Sequence, residues 1–311
     1  MHKEDLLTSF TRISPYIHRT PVLTSRRLNE ISGAEMYFKC ENFQRMGAFK
    51  MRGAVNAILQ LSAEQKARGV VTHSSGNFAQ ALALAAQSLG VTAYIVMPEN
   101  APQVKKEAVK GYGGQIIECA ASPLAREETA AAMEKEKGAY FIHPSNDRDV
   151  ILGQGTAALE LLQDYPELSY IFTPVGGGGL IAGTALAAHY FGHNCRVIGG
   201  EPFAADDAYR SLLSGQIEAN ETTHTLADGL RTHLGNLNFP IIKQHVHKII
   251  RVEESEIVGA MKLIFERLKV VVEPSSAVAL AALLREKTDF HNRKIGVILS
   301  GGNVDLAHLP F

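Results

Sequence analysis

Short β-branched runs alternate with longer alanine- and leucine-rich stretches along most of the chain. Runs such as Tyr170-Ile-Phe-Thr-Pro-Val175 and Lys294-Ile-Gly-Val-Ile-Leu299 have the near-continuous apolar character of strands buried on both faces. The pattern predicts strands over 35–40, 69–73, 93–97, 115–119, 170–175, 196–201, 249–252 and 294–300. Helices are predicted over 53–61, 77–89, 102–110, 125–137, 153–164, 180–191, 254–269 and 276–285. Strand and helix in regular alternation predict parallel sheets covered by helices, an α/β fold. Residues 69–146 carry three of the strands with helices to cover them, enough for a small domain. Residues 1–68 and 147–311 then form a larger one.

Composition narrows the function classes. The chain has 311 residues, 46% hydrophobic and 20% charged, which suits two packed domains and argues against disorder. With 31 basic and 32 acidic side chains the net charge is −1, so no basic field exists for nucleic acid or an anionic membrane. No apolar run approaches the roughly 20 residues of a bilayer span, and the N-terminus lacks a signal-peptide core. Three scattered cysteines, Cys40, Cys119 and Cys195, make neither a disulfide framework nor a zinc knuckle. The 12 histidines include no His-Glu-x-x-His pair, which argues against a zinc hydrolase. A soluble, cytoplasmic globular protein is the expectation, and its 27 glycines point to loops where backbone meets ligand.

The first chemical signal is Gly176-Gly-Gly-Gly179, set between a predicted strand and the helix that starts near Leu180. Glycines let backbone N–H groups approach a phosphate, and the helix start adds partial positive charge. Read alone, Gly177-x-Gly179-x-x-Ala182, with Glu201 ending the next strand, also fits a dinucleotide site in a nicotinamide oxidoreductase. A second loose match, Gly153-x-Gly155-x-x-Ala158, reads as a helix start.

Three more segments bear on the choice. Lys50, in Gly47-Ala-Phe-Lys50-Met-Arg-Gly53, lies at the mouth of a predicted helix among small and apolar neighbours. Desolvation and the helix start both depress an amine pKa, which favours Schiff-base chemistry. Thr72-His-Ser-Ser-Gly-Asn77 is a polar turn after a strand, suited to a carboxylate or to capping a helix. Leu299-Ser300-Gly-Gly-Asn303 is a small-residue loop after the last strand.

Together with Arg19-Thr-Pro-Val-Leu and Lys39-Cys-Glu-Asn42-Phe-Gln, these segments resemble the serine/threonine dehydratase and serine racemase family of fold-type II pyridoxal-phosphate enzymes, over essentially the whole chain. The resemblance implies a tryptophan synthase β-like fold of two open α/β domains, the smaller closing over the substrate. It implies that Lys50 anchors pyridoxal 5'-phosphate and acts as catalytic base, with Phe49 lining the ring. Gly176, Gly177, Gly178, Gly179 and the Leu180 amide would hold the phosphate. Asn77 would bond the phenolic oxygen and Ser300 would face the ring nitrogen, where a hydroxyl makes a weaker electron sink than an acid does. Ser74, Ser75, Gly76 and Asn77 would take the substrate carboxylate, and Ser75 would serve as acid–base group on the far face.

The implied activity is conversion of a small β-hydroxy amino acid, L-serine or L-threonine, into a 2-oxo acid and ammonia, with serine racemase activity beside it. Serine racemase proper and 3-hydroxyaspartate dehydratase are alternatives within the family. Arg126 and Thr232 fall where family members approach the substrate, and either suits a second carboxylate, as in 3-hydroxyaspartate, or a bulkier β-substituent. Glu201, the Ala205 carbonyl and Asp207 match the family's Mg2+ or Ca2+ site, with the oxygen donors a hard cation takes. A homodimer is expected. Phe78 departs from the histidine common among relatives. Phe311 lies eight positions beyond Asn303, so no C-terminal regulatory domain and no response to isoleucine are expected. Outside the family the rivals are the nicotinamide oxidoreductase and a non-catalytic amino-acid-binding module.

Overall fold

The computed structural model describes residues 1–311, the Pro123 side chain aside. The first part of the chain runs α1 (Lys3–Ile13), β1 (Val22–Leu23), α2 (Arg26–Ser32), β2 (Glu35–Cys40), α3 (Lys50–Gln60) and α4 (Ala63–Arg68). The middle runs β3 (Val70–His73), α5 (Asn77–Ser88), β4 (Ala93–Pro98), α6 (Gln103–Gly111), β5 (Gln115–Cys119), α7 (Pro123–Lys137) and β6 (Tyr140–Phe141). Then come α8 (Arg148–Asp164), β7 (Tyr170–Pro174), α9 (Gly179–Phe191), β8 (Arg196–Pro202), α10 (Asp207–Ser214) and α11 (Phe239–His245). The chain closes with β9 (Val246–Val252), α12 (Glu254–Leu268), α13 (Pro274–Arg285) and β10 (Lys294–Leu299).

The strands form two sheets, one of six in the order β1-β2-β10-β7-β8-β9 and one of four in the order β5-β4-β3-β6. Every pairing is parallel except the short β1–β2 contact. The eight expected strands are all present; β1 and β6, of two residues each, are additional. Helices α8, α9 and α13 are buried along almost their whole length, as layers between other layers must be. Among the described residues, no helix is long and apolar enough to cross a membrane.

One expectation is corrected. Gly153 and Gly155 do not start a helix; α8 begins at Arg148, with the Asp147 carboxylate accepting from the amides of Asp149 and Val150. The two glycines lie inside α8, where they permit close packing. A Cβ at Gly153 would fall 2.4 Å from the Arg52 carbonyl, and one at Gly155 would fall 2.7 Å from the Gly183 carbonyl. Any side chain would push α8 off α3 and α9, which carry Lys50 and the last glycine of the run.

A buried set of charges fixes the start of α3. The Arg52 guanidinium forks onto Glu41 (2.7 and 2.8 Å) and onto Glu160 (2.8 and 2.9 Å). Lys39 Nζ donates to Glu160 at 2.6 Å and to the Thr20 carbonyl at 2.7 Å. Two cations meet two anions, all fully or almost fully buried, so each charge is compensated. This clamps β2, α3 and α8 together two residues from Lys50.

Candidate active site

Three loops leave the carboxyl ends of parallel strands and converge, as ligand loops do in open α/β sheets. They follow β3, β7 and β10, and the start of α3 meets them. Lys50 is the first residue of α3. The segment before it is stitched to the loop after β10: Phe49 N donates to the Ser300 carbonyl at 3.0 Å and Gly302 N to the Gly47 carbonyl at 2.9 Å. Met46 and Gly47 take positive φ (55° and 77°) to make the tight approach. Ser300 is thereby buried beside the lysine.

The Lys50 amine donates to the Pro144 carbonyl at 2.9 Å and stands 5.0 Å from the Phe49 ring centre and 5.7 Å from that of Phe78. Burial pulls its pKa down to about 8, against the pull of Glu273. An amine so tuned can lose its proton near neutrality, which nucleophile and base chemistry both require. Phe78, the departure from the family pattern, is buried in α5 with its ring toward that amine.

The glycine run is a cradle closed to side chains. A Cβ at Gly176, Gly177, Gly178 or Gly179 would lie 2.8, 2.4, 2.6 or 2.5 Å from its nearest neighbour, respectively. Gly178, at φ 81°, turns the chain into α9, whose N-terminus no side chain caps. Asn238 fastens the run, its amide donating to the Gly177 carbonyl at 2.8 Å and to the Ser145 carbonyl at 3.2 Å. A phosphate suits this surface of bare backbone at a helix start. Leu180 follows in α9, and the Thr232 hydroxyl lies against Gly177, 3.2 Å from where a Cβ would stand.

The serine loop does not cap its helix with a side chain. The N-cap of α5 is Gly76, and the Ser74 hydroxyl accepts instead from the Gly76 amide at 3.3 Å. The capping alternative for these serines therefore falls away. Asn77 Nδ2 lies 2.9 Å from both oxygens of Glu273, so one N–H aimed between them leaves the other free. Its Oδ1 accepts from Asn303 at 2.9 Å. Arg126 stands apart on α7, near enough to His73 for its charge to add to burial in lowering that imidazole.

Sequence reasoning missed Glu273, the N-cap residue of α13, 5% exposed and bonded to Asn77 and to the Asn303 amide. Burial first, and Asp228 after it, raise Glu273 to about 7 against the bonds from Asn77 and Asn303. The folded pKa exceeds the free value of 4.5, so between these limits the folded chain holds the extra proton. Stability therefore falls as pH rises through that window, by about 3 kcal/mol in full. Glu273→Gln removes this slope. In urea titrations the variant should lose less stability than wild type between about pH 5 and about pH 8; parallel curves would contradict the assignment.

Glu201 and Asp207 are both buried. Glu201 accepts from the amides of Ala208 (3.1 Å) and Tyr209 (2.8 Å), and Asp207 from Asn220 (2.9 Å) and the Leu234 amide (3.0 Å). Burial, then the Asp207 charge, raises Glu201 well above the usual carboxylate range. Two buried acids near enough for the charge of one to raise the other are hard oxygen donors of the kind a hard cation takes. Among the described residues no group of three or more His, Cys, Asp or Glu side chains gathers for a metal. Glu201 also cannot serve as a ribose acid, because it is sealed inside against α10, and the nicotinamide reading loses its second leg.

A family model described as "Pyridoxal-phosphate dependent enzyme" matches residues 13–301. The β-hydroxyaspartate dehydratase of Paracoccus denitrificans is 50% identical over 99% of this chain and 98% of its own. The serine racemase of Dictyostelium discoideum is 49% identical over 98% and 96%. Maize serine racemase, a solved structure, superposes with a TM-score of 0.96 at 48% identity, covering 98% of this chain and 94% of its own.

Proposed function

The chain belongs to the pyridoxal-phosphate dependent enzymes, and on that premise we propose that it converts a small β-hydroxy amino acid into a 2-oxo acid and ammonia. One observation carries this reading. The depressed amine of Lys50 bonds the Pro144 turn, whose next residue, Ser145, walls the glycine cradle, and the Ser300 loop is bonded to the Gly47 and Phe49 backbones just before it. Amine and anion cradle thus meet at one turn, with the Ser300 loop beside the lysine segment.

Bound pyridoxal phosphate supplies the electron sink that lets an α-proton leave. The chain's residues do the rest. Lys50 anchors the cofactor and, when free, takes the α-proton of an L-substrate. The amides of Gly176 to Leu180 would hold the phosphate, Phe49 would line the ring, Asn77 would bond the phenolic oxygen and Ser300 would meet the ring nitrogen. Ser74, Ser75, Gly76 and Asn77 grip the substrate carboxylate. Residues 69–146, built round the four-stranded sheet, act as the small domain that closes over the substrate.

Two further readings belong to the same site. Arg126, near His73 at the entry of the serine loop, brings a positive charge that favours 3-hydroxyaspartate, and the Thr232 hydroxyl lies against Gly177 of the glycine cradle. This reading is in keeping with the relative named β-hydroxyaspartate dehydratase. Glu201, Asp207 and the Ala205 carbonyl hold Mg2+ or Ca2+ away from the chemistry, as a structural or activating ion.

An oxo-acid assay on L-serine, L-threonine, D-serine and 3-hydroxyaspartate, run with and without a chelator, tests all three. Release from at least one β-hydroxy substrate is expected, lowered by chelator and restored by magnesium. Silence on every substrate by cofactor-loaded protein would overturn the proposed activity, and indifference to chelator would remove the ion alone.

A further inference from the structure

The turn 143–147 was not singled out by any sequence motif, yet it meets both the lysine and the glycine cradle. We propose that the Pro144 carbonyl is the resting acceptor of the Lys50 amine, and that Gln154 and His143 are positioning residues that hold it there. The inference rests on the reading of Lys50 as anchor and base.

Two donors share the Pro144 oxygen, Lys50 Nζ at 2.9 Å and Gln154 Nε2 at 3.3 Å. Gln154 is completely buried, and its Oε1 has no hydrogen-bond partner. That oxygen lies against the start of α9, 2.5 Å from where a Cβ on Gly179 would stand. One amide therefore touches the lysine's acceptor at one end and the first residue of α9 at the other. It has little room to move, because its neighbours Gly153 and Gly155 press α8 onto the backbones of Arg52 and Gly183. From the other side, His143 Nδ1 accepts from the amides of Ser145 (3.1 Å) and Asn146 (2.8 Å), bracing the turn just past Pro144. Accepting through Nδ1 puts the ring proton on Nε2.

The chemistry of the acceptor matters. A lysine that alternates between a covalent bond and a free amine must come to rest within reach of the same proton at each turnover. A carboxylate at that point would keep it charged, whereas a carbonyl orients the amine without a counter-charge and leaves it able to accept a proton. A neutral amide at position 154 preserves this condition.

The test uses Gln154→Met, which keeps the volume and loses the donor, and Gln154→Glu, which adds a carboxylate. Neither substitution alters Glu273 or His143, which lie in electrostatic range of Lys50. Full-length chain stripped of cofactor is given pyridoxal phosphate, and the rate of uptake is followed by absorbance across the pH range of the Lys50 titration. The Met variant should show its inflection at lower pH than wild type, and the Glu variant at higher pH. After reloading, kcat of the Met variant should fall about tenfold with KM changed less than about twofold. If the Met variant does not fold, the Glu variant decides alone. Inflections that superimpose on wild type, or a basic shift in the Met variant, would overturn the inference. Lys50→Ala in parallel separates the failures: if it still turns over, the reading of Lys50 fails; if it is dead while the inflections stay put, only the roles of Pro144, Gln154 and His143 fail.

Discussion

Lys50→Ala should abolish oxo-acid release and covalent retention of the cofactor together, because anchor and base are the same group. Loss of a positioned base alone costs about 10²–10⁴-fold, and loss of the anchor adds to it. The fold should survive. The amine's pKa is depressed to about 8 from 10.5 by burial, so below about 8 its charge works against the folded state. Removing it at neutral pH should therefore leave the melting temperature unchanged or higher. Cofactor retention is read by borohydride reduction and intact mass, activity by oxo-acid release, folding by thermal melt. Turnover near the wild-type rate would end the assignment of Lys50, and an unfolded variant would contradict the account of its burial. Lys50→Arg is the matched control: it keeps a cation but cannot give it up near neutrality, so it should be as inactive as alanine.

The parts of this site that sequence made legible are those that recur as short strings. Gly176–Gly179, Lys50 with its small neighbours, and Ser300-Gly-Gly-Asn303 each bring a special backbone or a reactive group into a few adjacent positions, the first and last at strand ends and Lys50 at a helix start. The long strands were legible because a strand buried on both faces needs a continuous apolar run. Helix α8 was begun five residues late because the glycines at 153 and 155 look like a start, while the true signal was the Asp147 cap. Helix α2 and strands β1 and β6 are short, and tertiary contacts rather than pattern hold them. Glu273 and Gln154 were missed for a different reason. Each is a single polar residue whose partners lie 196 and 10 positions away in sequence. The one hint for Glu273 was a lone acid between Val270-Val-Val272 and Pro274-Ser-Ser276, where burial was certain and a partner therefore required. Nothing in the string of letters says that the partner is Asn77.

Ser75 gives the second large effect, and it separates two roles that resemble each other in a static structure. If Lys50 serves one face of the substrate's α-carbon and Ser75 the other, the two groups act on opposite enantiomers. Ser75→Ala should then keep most release of pyruvate from L-serine, whose α-proton faces Lys50. It should lose pyruvate release from D-serine, and L-to-D interconversion with it, by about 10²–10⁴-fold, as expected for a positioned acid–base group. The competing role is that Ser75 only helps to grip the substrate carboxylate. Helix capping no longer competes, since the α5 N-cap is Gly76 and no side chain caps it. A gripping serine contributes to both enantiomers, because both carry the same carboxylate. Its loss should raise KM for L- and D-serine alike and leave the ratio of their kcat/KM values where it was. Pyruvate release from each enantiomer, in wild type and variant at matched cofactor loading, decides the matter. A ratio that moves at least about tenfold toward L-serine marks Ser75 as the second acid–base group, and a ratio that stays put returns it to the carboxylate.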